Sequence, residues 1–219
     1  MTSGPTASIE AVTFDVGGTL IEPWPSVGYV YAEVARDFGV QASAEEMTSA
    51  FVRSWKDRGS FGYTRGEWFG VVCESFGCAV SEEMFDAVYE RFAQASGWRV
   101  FDDVIPALEF GRFRNLKLGV ISNWDERLKP LLGRLNLLGH FDAVVVSVES
   151  GAHKPDSKIF LQAAKALNSD TKNILHVGDS EREDVRGATN AGMRARKIDR
   201  KAGKESLLDI LRSLDLQRV

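Results

Sequence analysis

Cysteine and histidine are scarce in this chain. Two cysteines, Cys73 and Cys78, and three histidines, His140, His153 and His176, are spread over 219 residues. Their spacing matches no zinc signature, which excludes a small metal-stapled fold. The stretch from Met1 to Ser8 is small and polar, so no export signal is expected, and Cys73 and Cys78 are expected as free thiols, with a pair between them as the alternative. No apolar run approaches the length that spans a bilayer. Long basic runs are also missing, and the net charge is -4. Nucleic acid and membrane are therefore not expected as partners, and the expected location is cytoplasmic. Lysine is nearly missing between residues 23 and 97, where Lys56 stands alone.

What remains is ordinary globular material, 44% hydrophobic and 26% charged. That length holds one large domain, or a core with a smaller insertion. The informative stretch comes early. Ala11-Val12-Thr13-Phe14 reads as a buried strand that stops at Asp15 and breaks into Gly17-Gly18-Thr19. A carboxylate there lies at the C-terminal edge of a sheet, where open α/β folds bind ligands. The glycines let the backbone turn sharply and approach a ligand closely. Asp15 is accordingly a candidate nucleophile or metal ligand, with a plain acidic turn as the other reading.

Glu22-Pro23-Trp24-Pro25 reads as a linker, since two prolines interrupt regular structure. Beyond it the pattern turns helical, with helices expected over Ser26–Phe38, Ser43–Lys56, Arg65–Phe76 and Ser81–Ala95. Ser43 with Glu46 resembles a capping box, and Gly39, Gly77 and Gly97 fall at helix ends. The many aromatic residues here suit the core of a small bundle, although some could face a ligand. From Asp103 the chain alternates, with helices expected over Asp103–Arg114, Asp125–Leu135, Asp156–Leu167, Arg182–Ala191 and Lys204–Leu216. The strands between them are expected over Leu116–Ser122, Asp142–Val148, Asn173–Val177 and Met193–Ile198. Such alternation predicts an α/β fold, a doubly wound parallel sheet of Rossmann-like form. Residues 9–22 and 98–219 would make the core, and 23–97 an inserted all-helical cap.

Polar residues end each core strand: Asp15; Ser122-Asn123; Lys154 before a helix; and Asp179, with Glu183 and Asp184 close behind. Together they supply a carboxylate nucleophile, a hydroxyl, a cation and an acidic metal site, the equipment for phosphoryl transfer through an aspartyl-phosphate. Phe14-Asp15-Val16-Gly17-Gly18-Thr19-Leu20, Val120-Ile121-Ser122-Asn123, Lys154-Pro155-Asp156 and Gly178-Asp179 through Asp184 resemble, in order, the four motifs of the haloacid dehalogenase superfamily of hydrolases. The helical insertion resembles that family's mobile cap. The segments 121–128 and 65–68 are similar to one subgroup within it.

The resemblance implies roles. Asp15 would attack phosphorus, with Mg²⁺ held by Asp15, the Gly17 backbone carbonyl, Asp179 and Asp184, the last as ligand or outer brace. Lys154, Ser122 and Asn123 would bind the phosphoryl group, and Thr19 would orient the nucleophile by hydrogen bonding. The substrate would be a small phosphorylated metabolite, taken by a monomer or homodimer. One departure stands out. Phosphatases of the family carry a second aspartate two residues after the nucleophile, and here that residue is Gly17, which cannot transfer a proton. A slow phosphatase follows, since such help is typically worth ~10²–10⁴ in rate, and Glu22 is the nearby acid that could substitute. The alternatives are phosphonate or other non-phosphoester hydrolysis, for which a Schiff base would need Lys56, and a non-enzymatic protein that binds metal and a phosphorylated ligand. Specificity is expected around Trp24, Trp55, Tyr63 and Trp68, with Trp124 packing at the mouth and His153 and His176 structural.

Overall fold

The computed structural model describes residues 8–56 and 61–214. Five parallel strands form its main sheet: β1 (Ala11–Phe14), β4 (Lys117–Ser122), β5 (Ala143–Val146), β6 (Ile174–Gly178) and β7 (Arg194–Lys197), in spatial order β5-β4-β1-β6-β7. β1 sits at the centre and is buried throughout, as its run of apolar and β-branched residues requires when both faces are covered. Helices α5 (Val104–Phe113), α6 (Leu128–Arg134), α8 (Ser157–Ala166) and α10 (Leu207–Ser213) flank the sheet. One apolar core joins Val12, Phe14, Leu108, Leu118, Leu131 and Leu211, and another joins Ile121, Ile159, Phe160 and Ile174. The parallel, helix-covered sheet is the architecture expected from the alternating pattern.

Four helices fall between the first strand and the rest of the sheet: α1 (Val27–Asp37), α2 (Ala44–Trp55), α3 (Arg65–Phe76) and α4 (Glu82–Arg91). Their start signals are real. Ser43–Glu46 and Thr64–Glu67 both close capping boxes, and Ser26 and Ser81 each accept a bond from a backbone N–H of the first turn. They share a core of their own around Tyr31, Met47, Val72, Phe85 and Val88.

Four local expectations change. The Glu22-Pro23 linker is structured: β2 (Ile21–Pro23) pairs antiparallel with β3 (Trp98–Val100), leading the chain out of the sheet and back. Pro23 is tolerated because the ribbon has only two strands, where a missing N–H costs no central ladder bond. The strand expected to reach Val148 stops at Val146, and residues Ser147–Ser150 make a single helical turn, α7. The helix expected from Asp125 begins only at Leu128, because the Asp125 carboxylate is occupied by the Arg127 backbone N–H and guanidinium. Finally, Glu181–Arg186 is a π-helical turn leading into α9 (Gly187–Asn190). The Val185 N–H reaches back five residues to the Ser180 carbonyl, at 3.2 Å. α10 covers the middle of the expected closing helix, whose last residues, 215–216, lie outside the described ones. Among the described residues no helix is long and apolar enough to cross a membrane, and both cysteines are free thiols.

Candidate active site

β1 delivers Asp15 to the C-terminal edge of the sheet, where its N–H is fixed by the Val177 carbonyl at 2.9 Å. The chain then doubles back: Leu20 and Ile21 N–H groups both bond the Val16 carbonyl, and the Gly18 N–H bonds that of Ile21. Only glycine fits at position 18. Its φ is +76°, and a Cβ there would lie 2.7 Å from Asp179 Oδ2. The turn thus brings the chain after the first strand against Asp179, the carboxylate that follows β6.

Lys154 ties the motifs together. It is 4% exposed, and Nζ donates to Asp15 Oδ1 and Asp184 Oδ1, each at 2.6 Å. Ser122, at the end of β4, donates to the same Asp15 oxygen at 3.1 Å. Asp184 is braced from three sides, since Oδ1 also meets His176 Nε2 at 3.1 Å and Oδ2 accepts the Ser180 N–H at 2.9 Å. The π-helical turn is what carries Asp184 back to these partners. His176 in turn meets Thr13 Oγ1 at 2.9 Å through Nδ1. The two residues lie side by side in register on β6 and β1. A buried chain of contacts therefore runs Thr13–His176–Asp184–Lys154–Asp15.

The electrostatics follow from one buried cation among several carboxylates. Burial works to neutralise Lys154, but Asp15 and Asp184 outweigh it and hold the ammonium above its usual range. Burial likewise acts against the Asp184 anion, yet Lys154 and His176 overcome it and keep that carboxyl low. Asp15 is pushed up, chiefly by burial. Asp179 faces solvent at one edge, and its partial burial together with Asp15 and Asp184 raises its pKa to about 7.

The donor set suits a divalent cation. Asp15, Asp179 and Asp184 each offer a carboxylate oxygen, and these atoms lie within 4.8 Å of one another. All-oxygen, anionic ligands select hard ions such as Mg²⁺. The turn bonds leave the Gly17 carbonyl unused among the described residues, which keeps it available as a further oxygen. Asp184 already meets Lys154, His176 and the Ser180 N–H, so of its two expected roles the geometry fits the brace.

Five residues sit elsewhere than expected. Asn123 accepts the Lys154 N–H at 2.7 Å and donates to the Lys154 carbonyl at 3.0 Å and to Glu183 at 3.2 Å. Its amide is spent on holding the lysine loop rather than left free for a phosphoryl group. Thr19 Oγ1 is buried without a hydrogen-bond partner among the described residues, so it does not orient Asp15. Glu22 is held across the ribbon by Arg99. It does not line the cavity above Asp15, and neither do Lys56, which is exposed, and Trp24, whose ring lies 3.9 Å from the Arg99 guanidinium.

That cavity, about 480 Å³, runs from Asp15, Gly17 and Lys154 up between the α1–α4 helices and the sheet edge. Trp55, Tyr63 and Trp68 line it as expected, and Trp124 and Arg127 join them. A Cβ on Gly17 would meet the Trp124 ring at 3.3 Å, so the indole lies against the position that lacks a side chain. Sequence reasoning missed His176 as a positioning residue, Trp124 over Gly17 and the Arg127–Asp125 clasp. The first was readable only from strand register, the second only from packing. The Asp-x-Arg spacing in 125–127 was a visible signal for the third.

The model of the haloacid dehalogenase-like hydrolases matches residues 9–192. The haloacid dehalogenase-like hydrolase domain-containing protein 3 of Danio rerio is 32% identical, over 93% of this chain and 93% of that protein. It stands in the subgroup to which segments 121–128 and 65–68 are similar. A glyceraldehyde 3-phosphate phosphatase of Methanopyrus kandleri is 30% identical over 88% of this chain and 84% of its own length. Among solved structures, a phosphatase of the same superfamily from Thermococcus onnurineus superposes with a TM-score of 0.70 at 27% identity, covering 96% of this chain and 100% of the other.

Proposed function

Because the chain belongs to the haloacid dehalogenase-like hydrolases, we propose that it is a Mg²⁺-dependent phosphate monoester hydrolase working through an aspartyl-phosphate on Asp15. The observation that carries this reading is Asp15 itself: a buried carboxylate held by Lys154 and Ser122 at a strand end that opens on a cavity. The names of the Methanopyrus and Thermococcus proteins support phosphate as the group transferred.

An Asp15 oxygen attacks phosphorus as the ester P–O bond breaks, and the leaving oxygen departs with the bonding pair. Water then attacks the aspartyl-phosphate, releasing inorganic phosphate and restoring the carboxylate. Lys154 and Ser122 hold phosphoryl oxygens, and Lys154 offsets their charge. Asp15, Asp179 and the Gly17 carbonyl would hold Mg²⁺, which supplies charge neutralisation at the phosphoryl oxygens. Asp184 and His176 keep Lys154 in place. The helices of residues 23–97 act as a cap over the site. Phosphonate cleavage through a Schiff base is disfavoured, because Lys56 is exposed and stands outside the cavity lining.

The test is phosphate release from an aryl phosphate with Mg²⁺. Turnover should vanish with a chelator and in Asp15→Asn. Equal turnover in Asp15→Asn would remove Asp15 from the chemistry.

A further inference from the structure

The cavity above Asp15 changes character with height. Its floor is polar, with Asp15, Ser122, Lys154 and Asp179, whereas its upper wall is mostly aromatic: Phe51, Trp55, Trp68, Phe85, Tyr89 and Phe92 among others. The polar atoms of that wall are largely occupied. Tyr89 Oη donates to Glu126 at 3.2 Å, the Tyr31 hydroxyl pairs with Ser75, and Trp98 Nε1 donates to the Phe92 carbonyl at 2.9 Å. Arg127 is the only cation of the upper lining among the described residues. Its guanidinium is committed to Asp125 and the Tyr89 carbonyl, lying 3.4 Å over the Tyr89 ring. Sugar hydroxyls or a second anionic group would thus be desolvated without partners here. Trp68 Nε1 is buried with no hydrogen-bond partner among the described residues. Its ring stacks on Trp55 at 5.2 Å between centroids.

The second observation is at the floor. Gly17 offers no acid to protonate a departing oxygen, and the Trp124 ring lies 3.3 Å from where a Cβ on it would stand. A leaving group that departs readily as its own anion needs that acid least.

We propose that the ligand of this site is a phosphate monoester of an aromatic alcohol, its ring system seated against the Trp55–Trp68 wall and its phosphate on the Asp15–Lys154 floor. The identity of the ester rests on the hydrolase reading above; the apolar seat for its organic part does not. As Asp15 attacks phosphorus, the P–O bond to the ring oxygen breaks, and the aryloxide leaves with the electron pair and takes its proton from water.

The experiment compares kcat/KM for phenyl phosphate, 2-naphthyl phosphate and glycerol 3-phosphate with Mg²⁺ on the natural protein. The two aryl esters have leaving groups of nearly equal acidity and differ in apolar area. Binding of 2-naphthylphosphonate and methylphosphonate, followed by tryptophan fluorescence, gives a readout independent of turnover. The naphthyl ester should exceed the phenyl ester by about tenfold or more, through KM, and glycerol 3-phosphate by a larger factor. The naphthyl phosphonate should also bind at least about tenfold tighter than the methyl one. Glycerol 3-phosphate turned over as well as the naphthyl ester would overturn the proposal while leaving the hydrolase reading standing. Tight naphthylphosphonate binding without turnover of any ester would keep the aromatic seat and remove the hydrolase. Equal binding of the two phosphonates overturns the proposal whether or not hydrolysis occurs.

Discussion

Gly17 decides how this site can work, because the two steps of the proposed reaction depend on a proton-transfer group unequally. An aryloxide leaves without help, whereas an alkoxide does not. Gly17→Asp should therefore speed turnover of alkyl phosphates more than aryl ones, by up to ~10²–10⁴. The new Cβ meets Trp124 at 3.3 Å, so the indole must give way by a few tenths of an ångström. Adding Trp124→Ala should increase the gain, and steady-state kinetics on both ester types will read it. Asp179 should set the pH response of metal binding. Its pKa, raised to about 7, leaves it largely protonated in mildly acid solution, and Asp15 is shifted the same way. A bound cation needs the anions, so binding must release protons. Mg²⁺ affinity should fall as pH drops through about 7 and level off above it. Calorimetry in buffers of different ionisation heat should show proton release on binding, and Asp179→Asn should bind weakly with a flattened pH dependence.

The strands and helices were legible because each obeys its own period, and because the residues at their ends are specific. Ser43, Ser81 and Glu46 announced helix starts, and the apolar runs of β1 and β4 announced buried strands. The elements that went unread follow no such rule. The β2–β3 ribbon pairs residues from the two ends of the helical insertion, and the π-helical turn at 181–186 depends on Asp184 finding Lys154 and His176. Cap geometry gives a test kept away from the site. Ser43→Ala opens the capping box of α2, and Ser206→Ala that of α10. Each should cost about 0.5–2 kcal/mol in denaturant unfolding. Neither should alter kcat for an aryl phosphate, since both serines lie outside the cavity lining.

Across the molecule, the sheet edge gathers chemistry that the chain holds far apart: Asp15 meets Lys154 and Ser122 through side chains more than a hundred positions away, with |i−j| of 139 and 107. Four strand ends in a parallel sheet must share one edge, so this meeting was readable from order alone. The partners of Asn123 and Thr19 were not, since those depend on loop packing. The helical insertion supplies the other half of the site, a mostly aromatic wall over a charged floor.

In the proposed reaction Asp15 takes the phosphoryl group. Without an acid–base residue at position 17, attack on an aryl phosphate should outrun the activation of water for the second step. The aspartyl-phosphate should then accumulate, giving a burst of aryl alcohol before the steady state. The direct measurement is mass spectrometry of peptides after rapid acid quench during turnover. One added phosphoryl group is expected on the peptide bearing Asp15 and is expected to be missing in Asp15→Asn. Asp15-dependent phosphate release with no burst and with that peptide unmodified throughout would contradict it.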